Sequence, residues 1–220
     1  MKTKVKKWDL STVLMSVAAV LLIISIAVTL TLQIRGIYYF DIDYLDIPAM
    51  SGFSREMIKE NYNALIDYNS VFFRGRLVFP SLPMSETGEI HFEEVKNIFS
   101  AIQIMGLILA VPVIAAAIWK IKKKQYFFLK LSAIFAVILP AAIGLFVAIN
   151  WDAFFVMFHK LFFNNDYWVF DYSTDPVILI LPDQFFMHCA VIILLIIVLF
   201  AVLLLTAHRI LTKGKKASVQ

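Results

Sequence analysis

Residues 184–208 read QFFMHCAVIILLIIVLFAVLLLTAH, a run of twenty-five positions without a charged side chain. At about 1.5 Å of rise per residue, a helix of this length spans the roughly 30 Å of hydrocarbon in a bilayer with room to tilt. Three further windows share the property, at residues 10–34, 97–119 and 131–151. An ionised group at the bilayer centre costs about 2.5 to 3.5 kcal/mol on insertion scales, so the charges between these windows act as punctuation. The expected fold is an all-α integral membrane protein, a single membrane domain over residues 1–220 with four transmembrane helices at those bounds. Composition agrees: 61% of the 220 residues are hydrophobic and 16% charged, whereas a soluble domain is about 25% charged. Mean hydropathy is +0.81. Twenty Phe, eight Tyr and four Trp form a surplus that belongs in lipid or at its interface. Such a chain is not disordered, and the lone Cys189 excludes a disulfide scaffold.

The first window follows Lys2, Lys4, Lys6 and Lys7. Its apolar run is too long for a signal peptide and no convincing cleavage site follows, so it is expected to remain as an anchor. Thirteen of the twenty lysines and arginines fall before the first window, between the second and third, or after the fourth. The positive-inside rule then puts both termini and the short basic loop in the cytoplasm. Fifteen of the sixteen acidic residues fall on the other side. The net charge of +4 therefore reflects topology, and nucleic-acid binding is a poor reading of it.

Two segments are long enough to hold an extracytoplasmic site, residues 35–96 and 152–183. In the first, Ser54 is a candidate helix N-cap, followed by Glu56 and by Ile58, Tyr62, Leu65 and Ile66 at helical spacing. Pro80, Pro83 and Gly88 break the chain before His91 opens a helical pattern that runs into the second window. The second begins with Phe154, Phe155, Met157, Phe158, Leu161, Phe162 and Phe163. That stretch is too apolar for a solvated loop and too short to span, so it reads as an interfacial amphipathic helix.

The windows carry almost no ionisable groups, which speaks against a path for ions or polar solutes. Gln103 is polar, Asn150 sits at an exit, and Pro112 and Pro140 read as packing features. Chemistry falls instead to the histidines. His91, His159 and His188 lie at the outer boundary, and His208 lies inside beside Arg209, where it suits a phospholipid-facing flank. His188 and Cys189 are neighbours on a helix and point about 100° apart, so a Cys-His pair is disfavoured. Glu94 shares a helix face with His91 and is expected to orient that ring and favour its protonated form. His159, set among Phe158, Phe162 and Phe163, is expected to stay neutral. His91, Glu94 and His159 could also supply three metal ligands, although no HExxH or CxxC pattern is present. No GxSxG elbow and no glycine-rich phosphate loop occurs. Asp41, Asp43 and Asp46 read as a solvated acidic surface.

The order Tyr62-x-x-Leu65-x-x-Tyr68, His91-Phe92-x-x-Val95-Lys96, Phe158-His159-x-x-Phe162-Phe163, Trp168-x-Phe170 and Leu181-Pro182-x-x-Phe185-Phe186, placed among four spans, resembles the lipoprotein intramolecular transacylase family of Gram-positive bacteria. The resemblance covers nearly the whole chain. It implies that two outer-face histidines are central to activity, at His91 and His159; His188 matches no family position. It also implies the reaction, transfer of the sn-2 acyl chain of a diacylglyceryl-modified lipoprotein to the α-amine of its N-terminal cysteine. Donor and acceptor then belong to one molecule, so proximity supplies the rate and no acyl-enzyme is required. A base is required, because an α-ammonium of pKa about 8 must lose a proton before it attacks.

Which histidine is the base is left open by the sequence. Arg74, Arg76 and Trp168 are candidate substrate-binding groups, though the arginines also suit lipid headgroups, and Trp168 and Phe170 suit interface anchoring. No cofactor is expected; the partners are lipoprotein substrates and membrane lipids, and the oligomeric state is not fixed. The two outer segments are expected to form a lid over a lipid-accessible cavity at the outer leaflet. Two rivals stand beside this reading. One is a metal-assisted membrane hydrolase or transferase using His91, Glu94 and His159. The other is a non-catalytic membrane assembly or sensor protein.

Overall fold

The computed structural model describes residues 9–217, all of whose regular elements are helices. In chain order they are α1 (Leu10–Gln33), α2 (Arg35–Tyr44), α3 (Ile47–Ser51), α4 (Arg55–Tyr68), α5 (Glu86–Lys122), α6 (Phe127–Ile149), α7 (Trp151–Phe162), α8 (Val177–Ile180) and α9 (Asp183–Ala217). α1, α5, α6 and α9 are long and apolar enough to cross a membrane. Pro112 and Pro140 lie inside α5 and α6 without ending them. Lys2, Lys4, Lys6 and Lys7, which contribute to the expected orientation, lie outside the described residues. The chain divides into two compact units.

One unit takes the described residues of Met1–Val28, Ile104–Leu145 and Ile193–Gln220. Small side chains set its packing. Ala27, Ala133, Ala136 and Ala201 are buried together with Ile23 and Ile197, and a Cβ added to Gly106 would sit 3.0 Å from that of Ser25. Between apolar helices in lipid no water is expelled, so close backbone approach through such residues supplies the van der Waals contact. Lys120 is buried, and its Nζ donates to Ser11 Oγ at 3.0 Å and Thr12 Oγ1 at 3.2 Å. Leu107, Ile108 and Val111 remain exposed on α5, a surface suited to lipid tails. His208, expected to face phospholipid, instead donates from Nδ1 to the Tyr126 carbonyl at 2.9 Å and ties α9 to the turn before α6.

The second unit takes Thr29–Gln103 and Phe146–Ile192, and so holds both long connecting segments. Its core gathers Tyr38, Ile42, Ile47, Ile58, Tyr62, Leu65, Val177, Ile180 and Phe185. Tyr38 stacks on Tyr62 at 3.7 Å between ring centroids and donates its hydroxyl to the Ile180 carbonyl. That bond satisfies a polar tip that could not otherwise be buried. Ser54 caps α4 as its sequence indicates, accepting from Met57 N at 3.2 Å. Gln103 pins the chain leaving α4: its Nε2 donates to the Asn69 carbonyl at 2.9 Å and its Oε1 accepts from Val71 N at 3.1 Å.

Two caps position the site. Ser85 Oγ accepts from Gly88 N at 3.0 Å at the start of α5, and Asp175 Oδ1 accepts from Ser85 N at 2.7 Å. The segment leading to Asp175 therefore lies against the first turns of α5. Gly88 makes the approach possible, since a Cβ there would stand 2.3 Å from Asp175 Oδ1 and 3.3 Å from the Phe170 ring. Asn150 breaks the chain after α6 and caps α7 by accepting from Ala153 N at 2.9 Å. α7 carries His159 and Lys160 in its last turn, where basic side chains suit the helix dipole.

Candidate active site

His91 projects from the second turn of α5, and its residue is 5% exposed. The edges and faces of four rings enclose it: Phe163 at 4.8 Å, Phe170 at 5.4 Å, Phe92 at 5.8 Å and His159 at 6.2 Å between centroids. His159 comes from α7 and is stacked on Trp168 at 4.7 Å with 30° between planes, with Phe155 at 4.2 Å and Phe163 at 5.7 Å. Phe163 thus touches both imidazoles. The two rings are inclined by 31°, close enough for one bound group to reach both.

An aromatic enclosure offers a charged imidazolium little solvation, so burial favours the neutral form of each ring. His91 is pushed down to about 4, by burial first and by the neighbouring His159 second. Burial also lowers His159, and its bond to the Phe155 carbonyl partly offsets that shift. The expectation that Glu94 would hold His91 protonated is therefore corrected. Glu94 lies one turn on, but its Oε1 accepts from Asn165 Nδ2 at 2.9 Å. His91 is left in an apolar enclosure.

The bond made by His159 fixes its tautomer. Nδ1 lies 2.7 Å from the Phe155 carbonyl, and a carbonyl can only accept, so the proton of the neutral ring sits on Nδ1. Nε2 then carries the lone pair. Three polar atoms of this neighbourhood are shielded from solvent and have no hydrogen-bond partner among the described residues: His91 Nδ1, Glu94 Oε2 and Trp168 Nε1. Buried polar atoms are normally satisfied, so such a group marks a place where a polar partner belongs.

The other candidates sort differently. Trp168, read also as an interface anchor, is a wall of the histidine site, and Phe170 stacks on Phe92 beside His91. Arg76 pairs with Glu89 at 2.6 and 2.5 Å and is 79% exposed, while Arg74 is exposed as well. A cleft of about 460 Å³ is lined by Tyr68, Gly75, Arg76, Glu86, Glu89, Ile90 and Glu93. Its wall is largely polar and contains neither histidine, so it is not the greasy cavity expected from the sequence. Among the described residues no three His, Cys, Asp or Glu side chains group as metal ligands, so the set of His91, Glu94 and His159 is not assembled.

The acidic trio is also corrected. Asp41 is 1% exposed, and both its oxygens accept from His188 Nδ1, at 2.9 and 3.0 Å. Asp43 pairs with Arg55 at 2.9 and 2.7 Å, and Asp46 is exposed. Asp41 joins a core because it shares the buried face of α2 with Tyr38 and Ile42. That spacing, an acid within an apolar helical stripe, was the available signal.

The profile of the family described as lipoprotein intramolecular transacylase Lit matches residues 13–186. No curated protein sequence matches the chain. Among solved structures, the chain is similar to the membrane integral lipoprotein intramolecular transacylase Lit from Bacillus cereus, determined in meso. The identity is 41%, the TM-score 0.91, and the match covers 94% of this chain and 96% of that one. Two structures of the same Bacillus cereus protein, with a histidine replaced by arginine or by alanine, match at 41% identity and a TM-score of 0.85. Each match covers 94% of this chain, and 92% and 94% of the respective variant.

Proposed function

The chain belongs to the lipoprotein intramolecular transacylase family of membrane acyltransferases, and from that premise we propose that it moves the sn-2 acyl chain of a diacylglyceryl lipoprotein to the α-amine of the N-terminal cysteine. Membership in a family of acyltransferases sets aside the non-catalytic reading. The product is an N-acylated lyso-form lipoprotein. The site faces the outer leaflet, with both termini cytoplasmic, a placement supported by the distribution of lysine and arginine along the chain. The segments 35–96 and 152–183 serve as its lid.

The observation that carries the mechanism is the tautomer of His159. With Nδ1–H donating to Phe155, Nε2 is an unprotonated base, and its desolvated ring remains neutral at physiological pH. Nε2 takes a proton from the α-ammonium, and the freed nitrogen lone pair attacks the sn-2 carbonyl carbon. The C=O electrons move to oxygen to give a tetrahedral intermediate. The nitrogen of that intermediate is cationic and still carries two protons. His159 Nε2, having passed the first proton to solvent, takes one of them. As the bond to the sn-2 oxygen breaks, it delivers that proton to the leaving oxygen, so that the products are a neutral N–H amide, a free hydroxyl and one released proton. His91 is a neutral hydrogen-bond donor to the carbonyl or leaving oxygen. Trp168 Nε1–H is a second donor within the same enclosure. No acyl-enzyme is needed, since two reacting groups of one bound molecule reach effective molarities of about 10⁵ M or more.

Mass spectrometry of a lipoprotein N-terminus, from cells with and without the protein, tests the reading. The expected result is conversion of the diacylglyceryl form to the N-acyl-monoacyl form only where the protein is present. An unchanged diacylglyceryl terminus in both would refute it.

A further inference from the structure

The mechanism above uses His91, His159 and Trp168 but leaves one charged group of the site without a task. Glu94 stands three residues after His91 on α5 and therefore shares its helix face. One of its oxygens, Oε1, accepts from Asn165 Nδ2 at 2.9 Å. Asn165 is itself held in place, because its Oδ1 accepts from Tyr167 N at 3.0 Å. Asn165 follows Phe163, the ring in contact with both imidazoles, by two residues. The other carboxylate oxygen, Oε2, is shielded from solvent and has no hydrogen-bond partner among the described residues. Lys96, the nearest cation along α5, donates to the Phe73 carbonyl at 3.3 Å and lies over the rings of Tyr68 and Phe73. A carboxylate oxygen removed from water is costly unless a donor meets it, and a cationic donor meets it best.

We propose that Glu94 receives the α-ammonium of the lipid-modified peptide and holds it beside the His91 and His159 rings. This rests on the transacylation reading, and it names what recognises the acceptor end of the substrate. An ammonium has donors and no acceptor, so it complements Oε2, whereas an N-acylated terminus has lost both charge and basicity. The preference has a direction: substrate with a free terminus is held, and the product, whose nitrogen has become an amide, is released. Two N–H groups of the ammonium stay with the carboxylate and the shielded surroundings while the third passes its proton to His159 Nε2. The N–H bond breaks and its electron pair stays on nitrogen. Glu94 itself neither gains nor loses a proton.

The test is a binding ratio. Full-length protein in lipid nanodiscs is titrated with two diacylglyceryl-cysteinyl peptides, one with a free amino terminus and one N-acetylated, near pH 6, where the free terminus, of pKa about 8, is charged. The wild type is expected to bind the free terminus about tenfold more tightly, the scale of a charge-assisted contact in a partly desolvated site. Glu94→Gln should bring the ratio close to one without changing affinity for the N-acetylated peptide, and Glu94→Asp should restore part of the preference. An unchanged ratio in Glu94→Gln overturns the proposal. So does an equal loss of affinity for both peptides in that variant, which is what a merely structural role predicts. Conversion of the free peptide by the wild type, followed in parallel by mass spectrometry, reports separately on transacylation. A protein that discriminates but never converts would sink the reaction and leave the recognition standing.

Discussion

Two histidines of α5 and α7 and a third of α9 are the same side chain placed in opposite surroundings. His91 and His159 meet each other inside a shell of phenylalanine and tryptophan, and among the described residues no carboxylate hydrogen-bonds to either. His188 donates to the buried carboxylate of Asp41. A carboxylate behind an imidazole fixes the ring and stabilises its cation, whereas an aromatic enclosure fixes it and keeps it neutral. The comparison teaches that neither a histidine nor its depth says what it does; the first neighbour decides. Here the neutral pair suits proton transfer from an ammonium, and the histidine hydrogen-bonded to Asp41 suits a joint between α2 and α9.

The sharpest way to break this division is to remove each ring in turn. His159→Ala and His91→Ala should each lower lyso-lipoprotein formation by about 10²-fold or more, the usual scale of a general acid or base, while the protein still folds and inserts. Full activity in either variant, read by mass spectrometry of the product, would undo the assignment. His188→Ala should have the reverse profile. It leaves Asp41 buried without its donor and costs about 2 kcal/mol of stability, seen as a lower unfolding temperature in detergent, with the rate per folded molecule retained. Asp41→Asn should cost less than His188→Ala, because an amide keeps a hydrogen-bonding group in place.

Gly88→Ala probes the support of the pair. The added methyl meets Asp175 and Phe170, and overpacking of this kind costs about 1 to 3 kcal/mol. Because Phe170 lies against His91, a fall in rate at temperatures where the variant is fully folded should accompany the loss of stability. The smallest expected effect is a displacement of the pH profile. Burial lowers His159 below its ordinary 6.5, so the rate limb from this base should rise with pH and level off at or below about 6.5. Trp168→Leu uncovers one face of the ring, restores solvation to the imidazolium and should move that limb to higher pH. A limb that stays in place, or moves down, would mean that Trp168 does not desolvate the base.

Much of the architecture was legible in the sequence. The charge-free runs correspond to α1, α5, α6 and α9, because a bilayer imposes one strong rule on composition. Ser54 was legible as a cap because the rule is local. What escaped were pairings across long sequence separations. Asp41 and His188 are 147 positions apart, and Asp41 is followed closely by two exposed acids, Asp43 and Asp46, so it read as solvated. Glu94 and Asn165 are 71 apart, so the local helical neighbour His91 looked like the partner. Trp168 read equally well as an interface anchor because tryptophans at membrane boundaries are common, and only tertiary packing puts its ring on His159.

The length of α5 has a mechanical consequence. One helix of 37 residues carries His91 six positions ahead of Asn97, where the charge-free run begins, a rise of about 9 Å. On the outer-leaflet placement proposed above, the elevation of that imidazole relative to the acyl chains is gauged by where the greasy stretch settles in its host lipid. Thickening or thinning the bilayer by a few ångströms, at a fraction of a kcal/mol per ångström, would raise or sink the ring relative to the glycerol esters. Membranes built from shorter or longer fatty acids would then set different working rates for the same polypeptide.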